Sequence, residues 1–363
     1  MNCNPISVGF AEARGRRKAG FSLIELLTVI FIISLLIAIL LPSLNNARAQ
    51  AKCVAGRALL NAIDTGLELF RNDNESEFGR TNGYPPSFAH PRIVDEDGNV
   101  VFSDEDAAEG RFPFLKESGG YPCVYGTHFL SAMLLGADLN GFIQRRSVPK
   151  DQLKEPWKWY EPDPDTGELL PRQSLYLDSG ELRLVATEDL IGSPNLDDFF
   201  PDYNDMKQLP VIVDPFDQPV LYYVATRGGS MQNMVENEHD PQNRYPDGKP
   251  IYFHQDNVGF TGWADSAGEV DPKEGWDFGG GGDHRIAFHG ADLTALDIDD
   301  ARNKDSFARY ILDVNAFRAI REEIRSDKSP LRPVRRDSYL LITPGPDGLY
   351  GTNDDVSNIP RQE

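Results

Sequence analysis

The sequence predicts an α+β fold, a long N-terminal helix packed on an antiparallel β-sheet with a large inserted region, and three observations carry that reading. An apolar run of membrane length, Phe21 to Leu41, leads directly into an amphipathic helical pattern that reaches Phe70. Short β-branched and aromatic runs bounded by Asp, Pro and Gly come much later, at residues 210–225 and 338–342. Between them, residues 76–209 carry mixed turn, strand and helix signals and read as an insertion.

The apolar run contains one charged residue, Glu25. At 1.5 Å per residue its 21 residues span about 31 Å, the thickness of a bilayer core. Arg14, Arg16, Arg17 and Lys18 precede it, and such a basic excess holds the N-terminal side of a segment in the cytoplasm. The bulk of the chain then lies outside. A secretory signal has an apolar core of roughly 7–15 residues before a small-residue cleavage site. Ala47-Arg48-Ala49 and Ala49-Gln50-Ala51 could serve as such a site, but this core is longer and carries a carboxylate. A plain anchor accepts the length and leaves Glu25 unexplained, because an acid in a span calls for a partner.

The run Gly20-Phe21-Ser22-Leu23-Ile24-Glu25-Leu26-Leu27 resembles the type III signal of prepilins and type II secretion pseudopilins. In that family a prepilin peptidase cuts after the Gly and methylates the new N-terminal residue. The resemblance implies cleavage between Gly20 and Phe21, N-methylation of Phe21, and assembly roles for Glu25 and for Pro42, the proline that kinks such helices. It makes residues 1–20 a leader peptide and 21–42 a transmembrane and filament-core helix. The cut creates an ammonium at Phe21, and in a bundle of such helices Glu25 can pair with the ammonium of a neighbour. A buried polar pair of this kind fixes register in helical assemblies.

Past Pro42, Leu44, Ala47, Ala51, Val54, Ala58, Leu59, Ala62, Ile63, Leu67 and Phe70 recur at helical spacing, so 43–75 is predicted as an amphipathic continuation with one face on a globular domain. Asn72, Asn74 and Gly79 end the pattern, and Tyr84-Pro85-Pro86 excludes helix. This passage from helix to Tyr-Pro turn also looks like that of major pseudopilins.

Within 76–209, Asp95-Glu96-Asp97-Gly98-Asn99 between two apolar runs predicts a hairpin, and His128 to Leu139 a short helix. Asp163-Pro164-Asp165-Thr166-Gly167 is a turn whose glycine is misplaced for an EF-hand loop. Trp157, Trp159 and Tyr160 read as packing aromatics. Residues 210–363 read as the pilin-like β region. There PVIVDPFDQPVLYYVA predicts two strands around a turn and resembles the family's Asp-Pro-aromatic hairpin. Asp283, His284 and His289 beside four glycines suggest a metal or phosphate site, but no phosphate-loop or zinc spacing accompanies them, and they read as a loop. Residues 305–328 are predicted as one amphipathic helix capped by Asp305 and packed on the insertion's sheet.

The final strand enters TPGPDGLYGTNDDV, which resembles the C-terminal calcium loop of major pseudopilins. The resemblance makes Ca²⁺ the cofactor of loop 343–358, with Asp347, Asn353, Asp354 and Asp355 and the backbone of Leu341 and Thr343 as ligands. The oxygen-rich composition suits a hard cation.

The net charge is −21. Without the leader's four basic residues and one acid, 36 and 57 become 32 and 56, a net of −24. That balance argues against nucleic acid as a partner. Cys3 falls in the leader, while Cys53 and Cys123 are compatible with a disulfide or two thiols. No nucleophile elbow or His-Glu-x-x-His motif supports an enzyme.

The resemblance therefore implies a structural subunit of a type II secretion pseudopilus or type IV pilus-like filament, single-pass in the inner membrane with its C-terminal domain in the periplasm. Its partners would be the prepilin peptidase, other pilin or pseudopilin subunits and the inner-membrane assembly platform. Two alternatives stand beside it: a minor or adhesive pilin whose inserted domain binds a surface or an exported substrate, and a pilin-anchored periplasmic enzyme.

Overall fold

The computed structural model describes residues 22–87, 125–136, 138–150, 152, 159–160, 162–180, 182–190, 209–231, 251–261, 284, 286, 306–318 and 331–359. Gly20, Phe21, the 93–102 hairpin, Cys123, Trp157, Asp283, His289, Asp305 and residues 319–328 lie outside them. The chain divides into two compact units, Met1–Gln50 and Ala51–Glu363.

Helix α1 runs from Leu23 to Asn74 with Pro42 inside it. In the first unit its large apolar side chains are exposed, from Leu23 to Leu44. This helix is long and apolar enough to cross a membrane by length and composition.

In the second unit α1 buries one stripe, Gly56, Leu60, Ile63, Gly66, Leu67 and Phe70. Helix α2 (Gly126–Leu135) is buried throughout. Strands β1 (Leu184–Ala186) and β2 (Pro210–Ile212) form an antiparallel pair. A second antiparallel sheet has the order β3 (Leu221–Val224), β4 (Tyr339–Thr343), β5 (Val356–Ser357). Helices α3 (Val258–Thr261), α4 (Phe307–Ile311) and α5 (314–318) are the further α-helices among the described residues.

Side chains alternate across a strand, and here both faces are covered. Tyr222 and Val224 of β3 and Tyr339 and Leu341 of β4 join the α1 stripe and Phe129, Leu130 and Met133 of α2 in one cluster. Leu221, Tyr223, Leu340 and Ile342 point the other way, onto Phe307, Ile311 and Phe317. Coverage on two faces explains why these strands are apolar without interruption. From the region 76–209, expected as an insertion, Phe129, Leu130, Ala132 to Leu135, Phe142 and Leu177 join the core that holds α1.

Two expectations are corrected. The runs at 210–225 form one turn but not one ladder: after the bridge between Val213 and Pro219, β2 pairs with β1 and β3 with β4. Pro219 has no N–H to extend the ladder. Asp214 holds the turn by accepting the N–H groups of Phe216 at 2.8 Å and Gln218 at 3.0 Å. Burial pushes its carboxyl up to about 6, against the pull of those two donors.

The helix predicted over 305–328 is broken. Ser306, not Asp305, caps α4 by accepting the Arg309 N–H at 3.1 Å. Leu312 leaves the helix to bridge Pro333, and the Val334 N–H donates to the Ile311 carbonyl at 2.8 Å. Asp313 then caps α5 through the Ala316 N–H at 2.9 Å. The break lets α4 and α5 pack on the back of β3 and β4, instead of one helix packing on the insertion's sheet.

Candidate assembly site

Ser22-Leu23-Ile24-Glu25 opens α1 as a capping box. The Ser22 N–H and Oγ–H both donate to Glu25 Oε2, at 2.9 and 2.8 Å, and the Glu25 N–H donates to Ser22 Oγ at 3.2 Å. The box satisfies orphan donors at a helix start. Thr28 and Ser34, also in the apolar run, donate to the carbonyls of Glu25 and Ile30 at 3.0 and 2.8 Å. Polar groups of this stretch are thus satisfied within the helix, as a lipid environment requires. Pro42 lacks an N–H, so the Ala38 carbonyl has no donor at the expected place, yet the helix continues through it.

The other half of α1 is joined to the globular fold by two Tyr–carboxylate–Arg sets. Tyr84 O–H donates to Glu68 Oε1 at 2.7 Å and accepts from Arg71 at 3.1 Å. Tyr339 O–H donates to Asp64 Oδ1 at 2.7 Å, with Arg335 at 3.5 Å from the same oxygen. The two rings meet edge to face at 4.8 Å. Tyr84 was legible as part of a turn; its role as a brace on Glu68 was not, because that contact depends on chain reversal after residue 74.

The end of α1 is sealed by polar groups. Asn74 Nδ2 donates to the Phe70 carbonyl at 2.9 Å and the Tyr176 hydroxyl at 3.1 Å, while Asn74 Oδ1 accepts from Gln144 at 2.7 Å. Cys53 is a half-buried free thiol packed against the core.

In the C-terminal loop the expected ligands separate. Asp355 is turned inward: its Oδ2 accepts from the Tyr310 hydroxyl at 2.8 Å and the Gly351 N–H at 2.9 Å, and its Oδ1 from the Thr352 N–H at 3.2 Å. Burial pushes the Asp355 carboxyl up to about 7, opposed by these donors. The Leu341 carbonyl is occupied by the Asn358 N–H at 3.2 Å. Asp354 accepts the Asp347 N–H at 3.3 Å, and Asp347 accepts the Leu349 N–H at 2.8 Å across Gly348, whose φ of 74° suits glycine. Asn353 is exposed and Thr343 pairs with Val356. Among the described residues, no three His, Cys, Asp or Glu side chains converge as a metal-holding group. The loop offers a cation two adjacent carboxylates, Asp347 and Asp354, rather than three.

His284, from the glycine-rich stretch, is buried and accepts the Tyr350 N–H at 3.1 Å. It braces this loop. The turn at Asp163 forms as expected, with Oδ1 accepting the N–H groups of Asp165 and Thr166, each at 2.9 Å.

These features define a class: a bilayer-length apolar helix opened by a Ser–Glu box and continued into an α+β domain. Residues 15–41 match the prokaryotic N-terminal methylation motif. The chain is 44% identical over 61 residues to the type IV wide pilus major component PilA4 of Thermus thermophilus, covering 17% of this chain and 47% of that protein. It is 32% identical over 59 residues to the type II secretion system core protein G of Pseudomonas aeruginosa, covering 16% of this chain and 42% of that one. The matches therefore span less than half the length of these relatives. No solved structure matches the chain. The motif at 15–41 and these two matches make the chain similar to prepilin- and pseudopilin-like proteins.

Proposed function

We propose that the protein is a structural subunit of a type II secretion pseudopilus or a related type IV pilus-like filament. The observation that carries this reading is the conjunction of the methylation motif at 15–41 with a helix whose first half exposes its apolar side chains all round. Such a surface is stable in lipid or against other helices of its kind, and in water it is not. Processing after Gly20, with methylation of Phe21, leaves a subunit held in the inner membrane by α1, its basic flank cytoplasmic until cleavage and its acidic domain periplasmic. The assembly platform then transfers α1 from lipid to a bundle of neighbouring helices. There Glu25 pairs with a neighbour's terminal ammonium, and Pro42 locally frees a backbone carbonyl.

The domain's work in this reading is assembly, not catalysis. The placement of α2, Phe142 and Leu177 within the core that grips α1 supports a filament subunit over a chain bearing a detachable enzyme. Calcium binding at 343–358 belongs to the proposal, with the Asp347 and Asp354 carboxylates, the Asn353 side chain and the Thr343 backbone as ligands. The ion would supply positive charge to a turn rich in acids.

Mass spectrometry of the protein purified from membranes tests the reading. A chain beginning with N-methylated Phe21 is expected. An intact Met1, or a start after Ala49 or Ala51, would refute it.

A further inference from the structure

We infer that the strip Leu331 to Arg336 is a docking surface for a second copy of this chain, its outward arginines meeting the acidic surface of the neighbour. The inference rests on the filament reading above and names a surface through which the globular domains of that filament meet.

The strip stands out first by charge. Of the 32 basic and 56 acidic residues that follow the leader, residues 302–336 hold ten and five, which leaves 22 and 51 for the rest. Local pattern then decides which of these charges face outward. Leu331 and Val334 pack on the core behind β3 and β4, and Pro333 bridges Leu312. Arg332 and Arg336, between and beyond those anchors, are exposed, as is Arg318 at the end of α5.

The backbone beneath these side chains is pinned. The Asp313 N–H donates to the Arg332 carbonyl and the Val334 N–H to the Ile311 carbonyl, each at 2.8 Å. Arg335 sits in the left-handed region with φ 50°, its carbonyl accepting the Tyr252 hydroxyl at 2.7 Å. Its Nε donates to the Tyr339 carbonyl at 3.0 Å, and its guanidinium lies 3.5 Å from Asp64. Arg335 therefore serves the fold. Arg336 keeps 73% of its side chain exposed and has Asp337 at 3.8 Å, a solvent-screened pair of small worth. A fixed base lowers the ordering cost of a contact.

Charge selects the occupant. Screening acts over about 8 Å at physiological ionic strength, so the groups at a contact decide it rather than the net charge. Two domains meeting acid to acid repel, whereas the arginine strip of one attracts the acidic surface of the next. An extended polyanion, such as nucleic acid or an anionic membrane, would also meet the acidic remainder of the domain. The strip and the acidic surface are different patches of one chain, so the contact is head-to-tail and repeats without closing, as a fibre requires.

Sedimentation velocity of the full-length, detergent-solubilised chain tests this across a salt series. The wild type is expected to self-associate at low salt and to dissociate as salt rises. Arg332→Glu combined with Arg336→Glu should weaken association about tenfold or more, while the paired Lys variant retains it; equal melting temperatures show that all three are folded. Added in small proportion, the Glu variant should cap wild-type oligomers, because its acidic surface still docks and its strip does not. Equal association of the wild type and the Glu variant, or none by the wild type at any salt, overturns the inference. So does loss of binding to anionic vesicles in the Glu variant with self-association unchanged, which would give the strip to a lipid surface. Salt-sensitive self-association in solution without filaments in cells would instead refute the filament reading alone.

Discussion

Asn257 Nδ2 donates to the Tyr222 carbonyl at 2.7 Å, on the side of β3 away from β4, while Asn257 Oδ1 accepts the Thr127 N–H at 3.1 Å. One amide thus closes a sheet edge and the start of α2 together. Ser87 Oγ accepts the Val224 N–H at 3.1 Å two residues further along the same edge. Side chains here take the place of a neighbouring strand, which protects an edge from pairing with other chains.

Asn257→Leu should leave the Tyr222 carbonyl and Thr127 N–H buried without partners. A loss of about 2–6 kcal/mol is expected at roughly 1–3 per orphaned group, read from denaturant unfolding of the detergent-solubilised chain. Stability unchanged within error would deny the bridge its role.

Gly126→Ala places a Cβ 2.0 Å from the Tyr222 carbonyl oxygen. No side-chain motion relieves a backbone clash, so α2 must shift from β3. A loss at or above the overpacking range of about 1–3 kcal/mol is expected, together with a lower melting temperature; an unaltered melting curve would contradict this close approach.

His128 reports on acid. Its Nδ1 accepts the Tyr125 N–H at 3.0 Å and its Nε2 faces the Thr187 hydroxyl at 2.9 Å, which donates onward to the Leu209 carbonyl. The ring is therefore neutral, with its proton on Nε2. Burial lowers its pKa from 6.5 to about 3. The unfolded chain binds this proton more readily than the folded one, so the stabilisation is complete above about pH 6.5 and is lost as pH falls toward 3. Wild-type melting temperature should drop across that window more steeply than that of His128→Gln. Parallel curves would remove His128 as the cause.

Glu25→Ala should leave membrane insertion intact, because the apolar run alone suffices, and should impair filament assembly. Fractionation with filament counting measures both, and normal filaments from this variant would count against charge pairing.

Asp347→Ala or Asp354→Ala should abolish any rise in melting temperature produced by Ca²⁺, since an ion bound only to the folded state stabilises it by mass action. Asp355→Asn should instead destabilise the loop with or without Ca²⁺, because its oxygens serve Tyr310, Gly351 and Thr352. Identical melting of the wild type in Ca²⁺ and chelator would refute calcium binding.

The sequence by itself determined the long helix, its apolar and amphipathic halves and the last strand, read over 338–342 and found at 339–343. Each is local: helical period, side-chain reach over one turn and β-branched runs act between residues close in the chain. Only the tertiary structure decided that the 210–225 runs part into two sheets, that Leu312 breaks a helix to meet Pro333, and that Asp355 turns inward while Asp354 stays beside Asp347. It also decided that α2, from the region read as an insertion, grips α1. These outcomes rest on hydrogen-bond partners and buried surface supplied from tens to hundreds of residues away, and such competition between local pattern and distant partner leaves no mark in the pattern itself.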